Sequence, residues 1–122
     1  MDNRKTDDYY LRRAETDLEF ILKHTEGISK EKLESDEVLV DSVMFRLMQV
    51  SESLNKLSQS FKEKYDQIPW QLIKGLRNRI VHQYNTVDLT IVYETVKVDI
   101  PKLLSDIKNC LVENYGEIEK IK

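Results

Sequence analysis

The sequence predicts an all-α protein, an up-and-down bundle of four main helices with room for a fifth, short one. Three observations predict it. Apolar residues recur at spacings of three and four over long stretches, only 3 Gly and 2 Pro occur in 122 residues, and no strand-turn-strand series is present. With 40% hydrophobic and 34% charged residues, the chain is long enough for one core and too short for two ordinary domains. Residues 1–122 therefore read as one domain, with a core over about 7–115 and a charged, frayed tail over 116–122.

From about Asp7 to Thr25, Leu11, Ala14, Leu18, Ile21 and Leu22 share a helix face, with Arg12, Arg13, Glu15, Asp17, Glu19 and Lys23 on the other side. Gly27 stops this helix, and Ser29 to Ser35 suits a short helical turn before Asp36, an N-cap for the next element. A second long helix is expected from about Glu37 to Tyr65. Val43, Leu47, Val50, Leu54, Leu57 and Phe61 follow one another at steps of 4, 3, 4, 3 and 4, a seam suited to packing at about 20° in a bundle. Asp66-Gln67-Ile68 breaks the pattern. Pro69 then opens a third helix to His82, anchored by Trp70, Leu72, Ile73, Leu76, Ile80 and Val81. Asp88 caps a last helix, with Val87 and Val92 placed as a hydrophobic staple and Leu89, Val92, Val96, Ile100, Leu103, Ile107 and Leu111 as the buried stripe. Pro101 lies inside that helix and predicts a kink, or a division into two pieces, near Lys97.

Bulk properties narrow the function. The single cysteine, Cys110, closes no intrachain disulfide and reads as core. The opening Met1-Asp2-Asn3-Arg4-Lys5 leads into no apolar signal region, and no apolar run approaches the roughly 20 residues that cross a bilayer, so a soluble cytoplasmic protein is expected. A net charge of −3 argues against a chain that coats nucleic acid indiscriminately. It leaves room for a local basic cleft, and Lys74, Arg77 and Arg79 come with no acid between Ile73 and Asn85.

The chemistry concentrates in Arg77-Asn78-Arg79-Ile80-Val81-His82-Gln83-Tyr84. Arginine offers a planar fork of donors to a phosphate, and histidine moves a proton near neutral pH. Neither needs a metal, and no Cys/His/Asp spacing suggests zinc, since His24 and His82 are far apart. On a straight helix His82 stands about 140° round from Arg77, while Asn78 shares its face and Tyr84 returns to the face of Arg77. A joint Arg77/His82 site then requires the helix to end around His82, or two copies of the chain to meet along this helix. In a symmetric pair, both arginines and both histidines surround one cleft, so that one protomer's histidine could act as base and the other's as acid. Glu52 lies near the apolar seam of the second helix and is expected to pair with Arg77 or Arg79. His24 reads as a surface residue at a helix end, Trp70 and the Met44/Met48 pair as packing, and Tyr9 and Tyr10 as first-turn packing.

Arg77-x4-His82-x-Tyr84 resembles the R-x4-H-x-Y signature of the HepT-like branch of the HEPN superfamily, small all-helical ribonuclease toxins. The lead-in Ile68-Pro69-Trp70-Gln71-Leu72-Ile73-Lys74-Gly75-Leu76 looks like that branch's own. Arg46-Leu47-Met48-Gln49-Val50-Ser51-Glu52-Ser53-Leu54 is similar to its helix that usually reads R-x-L-x-I-I-G-E-A, with Ser51 in place of Gly and Ser53 in place of Ala. The likeness spans about Asp7 to Tyr115. It implies an HEPN-like fold and the toxin of a type VII HEPN/MNT toxin–antitoxin pair: a metal-independent RNA endonuclease, without cofactor, working as a homodimer. The implied roles are Arg77 on the scissile phosphate, His82 as general acid/base on the ribose 2′-hydroxyl or the leaving 5′-oxygen, and Asn78 orienting phosphate or imidazole, with Arg79 and Glu52 as further binding or orienting groups. Tyr84 keeps three readings: a ring that closes the helix, a stacking surface for an RNA base, or, by the resemblance, the acceptor on which a partner nucleotidyltransferase antitoxin places AMP. A non-catalytic binding module that partners a nucleotidyltransferase is the alternative.

Overall fold

A computed structural model describes residues 6–82 and 88–116, apart from the side chains of Leu72, Val81 and His82. Among the described residues, seven α-helices and one π-helical turn follow in chain order: α1 Asp7–Thr25, α2 Lys30–Ser35, α3 Glu37–Asn55, α4 Gln59–Lys64, α5 Trp70–His82, α6 Leu89–Glu94, the π-helical turn Thr95–Asp99, and α7 Ile100–Tyr115. No strand occurs among the described residues, and the all-α class holds.

Short polar side chains set the starts of most of the described helices. Thr6 accepts from the amide of Tyr9, Ser29 from Lys32, Asp36 from Leu39, and Asp88 from Thr90, satisfying helix amides that have no partner inside the helix. Gly27, at φ 70°, supplies the left-handed turn after α1. The expected staple with Val87 lies outside the described residues, as do residues 1–5 and 117–122.

The expectation of one helix from Glu37 to Tyr65 is corrected. α3 ends at Asn55, and Ser58 starts α4 by accepting from the Phe61 amide at 3.2 Å. Asp7 fixes this break from the start of α1, taking the Ser58 amide at 2.8 Å and its hydroxyl at 2.7 Å. Leu57 and Phe61 stay buried, because the seam continues across the turn although the helix does not.

The division expected near Lys97 takes the form of a wide turn. The Ile100 amide donates five residues back to the Thr95 carbonyl, and Pro101, which has no N–H to offer, then falls in the first turn of α7. Lys97 leaves the turn to donate to the last carbonyl of α1, Thr25, at 2.9 Å.

α1 packs against both α3 and α7, and α5 packs on α3. The core between them is one cluster in which Leu11, Leu18, Ile21, Val43, Ile80 and Ile107 are fully enclosed. Asp17, expected on the polar face of α1, is buried at 5% exposure and bonded to Arg46 of α3 at 2.7 Å. The Arg46 guanidinium also covers the Phe20 ring at 3.8 Å, so it shields an apolar ring as it neutralises the acid. Cys110 is buried in α7, and burial pushes its thiol up to about 11. No helix among the described residues is long and apolar enough to cross a membrane.

Candidate functional site on the α3/α5 face

Two contacts hold α5 against α3 at the motif. Ser51 is buried where the helices cross, and its hydroxyl donates to the Ile73 carbonyl at 3.3 Å. A residue larger than glycine is thus accommodated at the crossing with its polar atom bonded. One residue on, Glu52 meets Arg77. Both Nε, at 2.8 Å, and Nη2, at 2.7 Å, reach the single carboxylate oxygen Oε2.

Arg77 Nη1 donates in turn to Asn78 Oδ1 at 3.2 Å. Of five guanidinium N–H groups, one on Nη1 and one on Nη2 keep no bond to Glu52 or Asn78. The side chains of Arg77 and Glu52 are 34% and 42% exposed, and a pair so open to water contributes about 1 kcal/mol or less to stability. Its larger effect is orientation. Glu52 fixes the guanidinium plane on an open face of the bundle, where an anion can reach the remaining donors.

α5 runs unbroken through His82, its last residue, so its backbone keeps the angular separation of about 140° from Arg77 and places His82 on the face of Asn78. The side chain of His82 and all of Tyr84 lie outside the described residues. Arg79 does not join Arg77. It lines a separate, largely apolar cavity of about 320 Å³ with Leu47 and Val50 of α3 and Ile100 and Leu103 of α7. The basic patch of the sequence therefore splits: Lys74 and Arg77 share one side of α5, and Arg79 opens on another. His24 is exposed and sits against Phe20 at 4.2 Å, away from the motif.

Fold and site together define an all-helical bundle that presents an oriented arginine, and the backbone of a histidine five residues on, along one helix held by a neighbouring acid. A family model described as "Ribonuclease HepT-like" matches residues 14–110, and the chain belongs to that family. It is 33% identical over 107 residues, 88% of its length and 96% of the relative's, to a "Putative RNase" of Caldanaerobacter subterraneus subsp. tengcongensis. It is 30% identical over 94 residues, 77% of its length and 86% of the relative's, to a "Probable ribonuclease HepT" of Thermococcus cleftensis. A "Gamma-glutamylcyclotransferase and putative RNase" of Methanocaldococcus jannaschii is 32% identical over 110 residues, 90% of this chain but 50% of that longer protein. No solved structure matches the chain.

Sequence reasoning missed the Asp17–Arg46 pair and the Ser51–Ile73 bond. Both join residues more than twenty positions apart, and neither side chain breaks a local pattern.

Proposed function

We propose that this protein is a metal-independent endoribonuclease, the toxin of a toxin–antitoxin pair, acting as a homodimer in the cytoplasm. The observation that carries the reading is the Arg77 guanidinium, held by Glu52 on the motif helix with two N–H donors left for a phosphate. RNA brings its own nucleophile. Arg77 neutralises the scissile phosphate and the charge that grows on it, while His82 moves a proton at the ribose 2′-oxygen or the leaving 5′-oxygen. Asn78, bonded to Arg77 and one helical turn before His82, orients the two groups.

The angular separation of Arg77 and His82 favours a site completed by a second copy, with the arginine of one protomer facing the histidine of its partner. A surface for that copy is available. Val38 and Phe45 of α3 are 77% and 56% exposed and lie at seven-residue steps from Glu52, so two exposed apolar side chains stand on the helix face that leads to the Glu52–Arg77 pair.

The test is cleavage of a labelled single-stranded RNA in the presence of EDTA. Wild-type protein degrades it, and Arg77→Ala and His82→Ala each lower the rate by about 10²-fold or more with helical content unchanged. Cleavage that survives in both variants removes the assignment.

Regulation follows from the same electrostatics. A partner nucleotidyltransferase that adds AMP to Tyr84 places phosphate charge two residues from His82, where it competes for the pocket of the substrate phosphate. Incubation with that enzyme and ATP adds the mass of AMP to wild-type chain and none to Tyr84→Phe; modification of the variant would place the acceptor elsewhere.

A further inference from the structure

One turn along the same pair of helices from Glu52–Arg77, a cavity of about 450 Å³ opens between the end of α3, α4 and the start of α5. Its volume lies within the range of about 300–1,000 Å³ typical of small-molecule sites. α3 and α5 run antiparallel here, so Asn55 faces the cavity together with Lys74 and Trp70. Lys62 of α4 is the second cation in its wall. Its ammonium is held by the Asn55 carbonyl at 3.1 Å, and burial, reinforced by the charge of Lys74, pushes its pKa down. Lys74 makes no ion pair among the described residues. Two cations therefore stand close enough to repel each other, with no acid bonded to either.

Three acids lie near these cations. Asp7, the carboxylate that acts on Lys62, gives both oxygens to Ser58. Glu63 and Asp66 also line the cavity; Glu63 accepts from Gln59 at 3.3 Å, and neither carboxylate is bonded to Lys62 or Lys74 among the described residues. Trp70 is half-buried, its Nε1–H fixed by the carbonyls of Lys62 at 3.3 Å and Tyr65 at 3.1 Å, which holds the indole as a rigid wall. Gln59 and Gln71 bring side-chain amides to the same space.

Trp70, Lys74 and Arg77 fall on one side of α5, and Lys74 is about 4.5 Å along the helix axis from Arg77. A strand whose scissile phosphate lies on Arg77 and runs along α5 toward its N-terminus carries its neighbouring nucleotide into this cavity. We propose that the cavity is a second nucleotide subsite for single-stranded RNA, with Lys62 and Lys74 on the phosphate next to the scissile one and Trp70 beside the base. The inference rests on the ribonuclease reading above and adds to it where the strand runs. Phosphate charge gives the site its affinity, and the indole and amides give it tolerance of different bases.

The experiment uses full-length protein, Lys74→Gln, Lys62→Gln and the conservative Lys74→Arg, with circular dichroism as the check on folding. Lys74 is exposed and makes no ion pair among the described residues, so its substitution tests the site even if Lys62→Gln loosens the end of α3. Two readouts are taken: steady-state cleavage of a short RNA, and fluorescence anisotropy of a labelled, uncleavable 2′-O-methyl RNA of the same sequence as salt is varied. Lys74→Gln is expected to raise KM roughly three- to tenfold with a smaller effect on kcat, and to lower the slope of log affinity against log salt by about 0.7, the share of one phosphate contact on a single strand. Lys74→Arg restores both. If wild-type protein cleaves RNA and Lys74→Gln changes neither KM nor slope, the subsite is overturned and the ribonuclease reading stands. If wild-type protein binds the uncleavable RNA in a Lys74-dependent way but cleaves nothing, the subsite stands and the catalytic reading falls. Absence of binding by the wild type removes both.

Discussion

Of the arginines that rest against carboxylates, Arg46 and Arg77 stand in surroundings that give them different work. Arg46 meets an Asp17 that is 5% exposed and stacks on Phe20, so breaking that pair would strand a charge in the interior. Arg77 meets a Glu52 that water reaches freely, and that pair orients a guanidinium which keeps donors to spare. A third polar cluster ties α4 to α7. The Tyr65 hydroxyl donates to Glu113 at 2.6 Å and accepts from Asn114 at 2.8 Å. Burial, helped by Glu113, pushes its pKa up from 10.0 to about 12. The folded chain thus holds this proton more tightly than the unfolded chain, and the associated stability is complete below pH 10 and lost as pH rises through about 12. Urea unfolding followed from pH 9 to 12 should show a decline on the order of 2 kcal/mol that Tyr65→Phe makes shallower; equal declines in the two proteins would show that the hydroxyl has no such role. Single residues were legible in the sequence where their type speaks alone. Arg77 and Glu52 stood out as a charge and a counter-charge near the seam, whereas the Asp17 carboxylate looked like one more polar residue on an outer face.

At the scale of elements, short polar caps and glycine set most boundaries, and these could be read directly. α1 runs from Asp7 to Thr25 as its spacing requires, and Ser29, Asp36 and Asp88 cap the helices that follow them. The break at residues 56–58 was hidden because Leu57 and Phe61 keep the seam spacing, while the acid that fixes it, Asp7, is 51 residues away. Arg79 illustrates a similar limit: proximity in sequence to Arg77 says little once helical rotation turns Arg79 to a cavity that Arg77 does not line. Two glycines make opposite predictions. At Gly75, in the middle of α5, an added Cβ would meet nothing within 4 Å, so Gly75→Ala should stabilise the protein by roughly 0.5–1 kcal/mol. At Gly27 the space is equally open but φ is +70°, and Gly27→Ala should cost about 1 kcal/mol from backbone strain. Thermal melts read both; destabilisation at Gly75 would mean that something closes on α5 at that turn.

At the scale of the whole molecule, the described residues fold around one continuous core, and among the groups it leaves unused are Val38 and Phe45 on α3 and the Arg77 donors on α5. The proposed homodimer would use both. In that proposed arrangement each phosphodiester would meet an arginine from one protomer and a histidine from the other, a relation that a single α-helix cannot provide across about 140°. Subunit mixing tests that relation most directly. Arg77→Ala and His82→Ala proteins are each expected to be nearly inactive alone; after exchange, half of the dimers are mixed and each carries one complete Arg77/His82 pair, so RNA cleavage should recover toward about a quarter of the wild-type rate. A mixture shown by native mass spectrometry to contain the mixed dimer, yet no more active than either parent, would contradict the account.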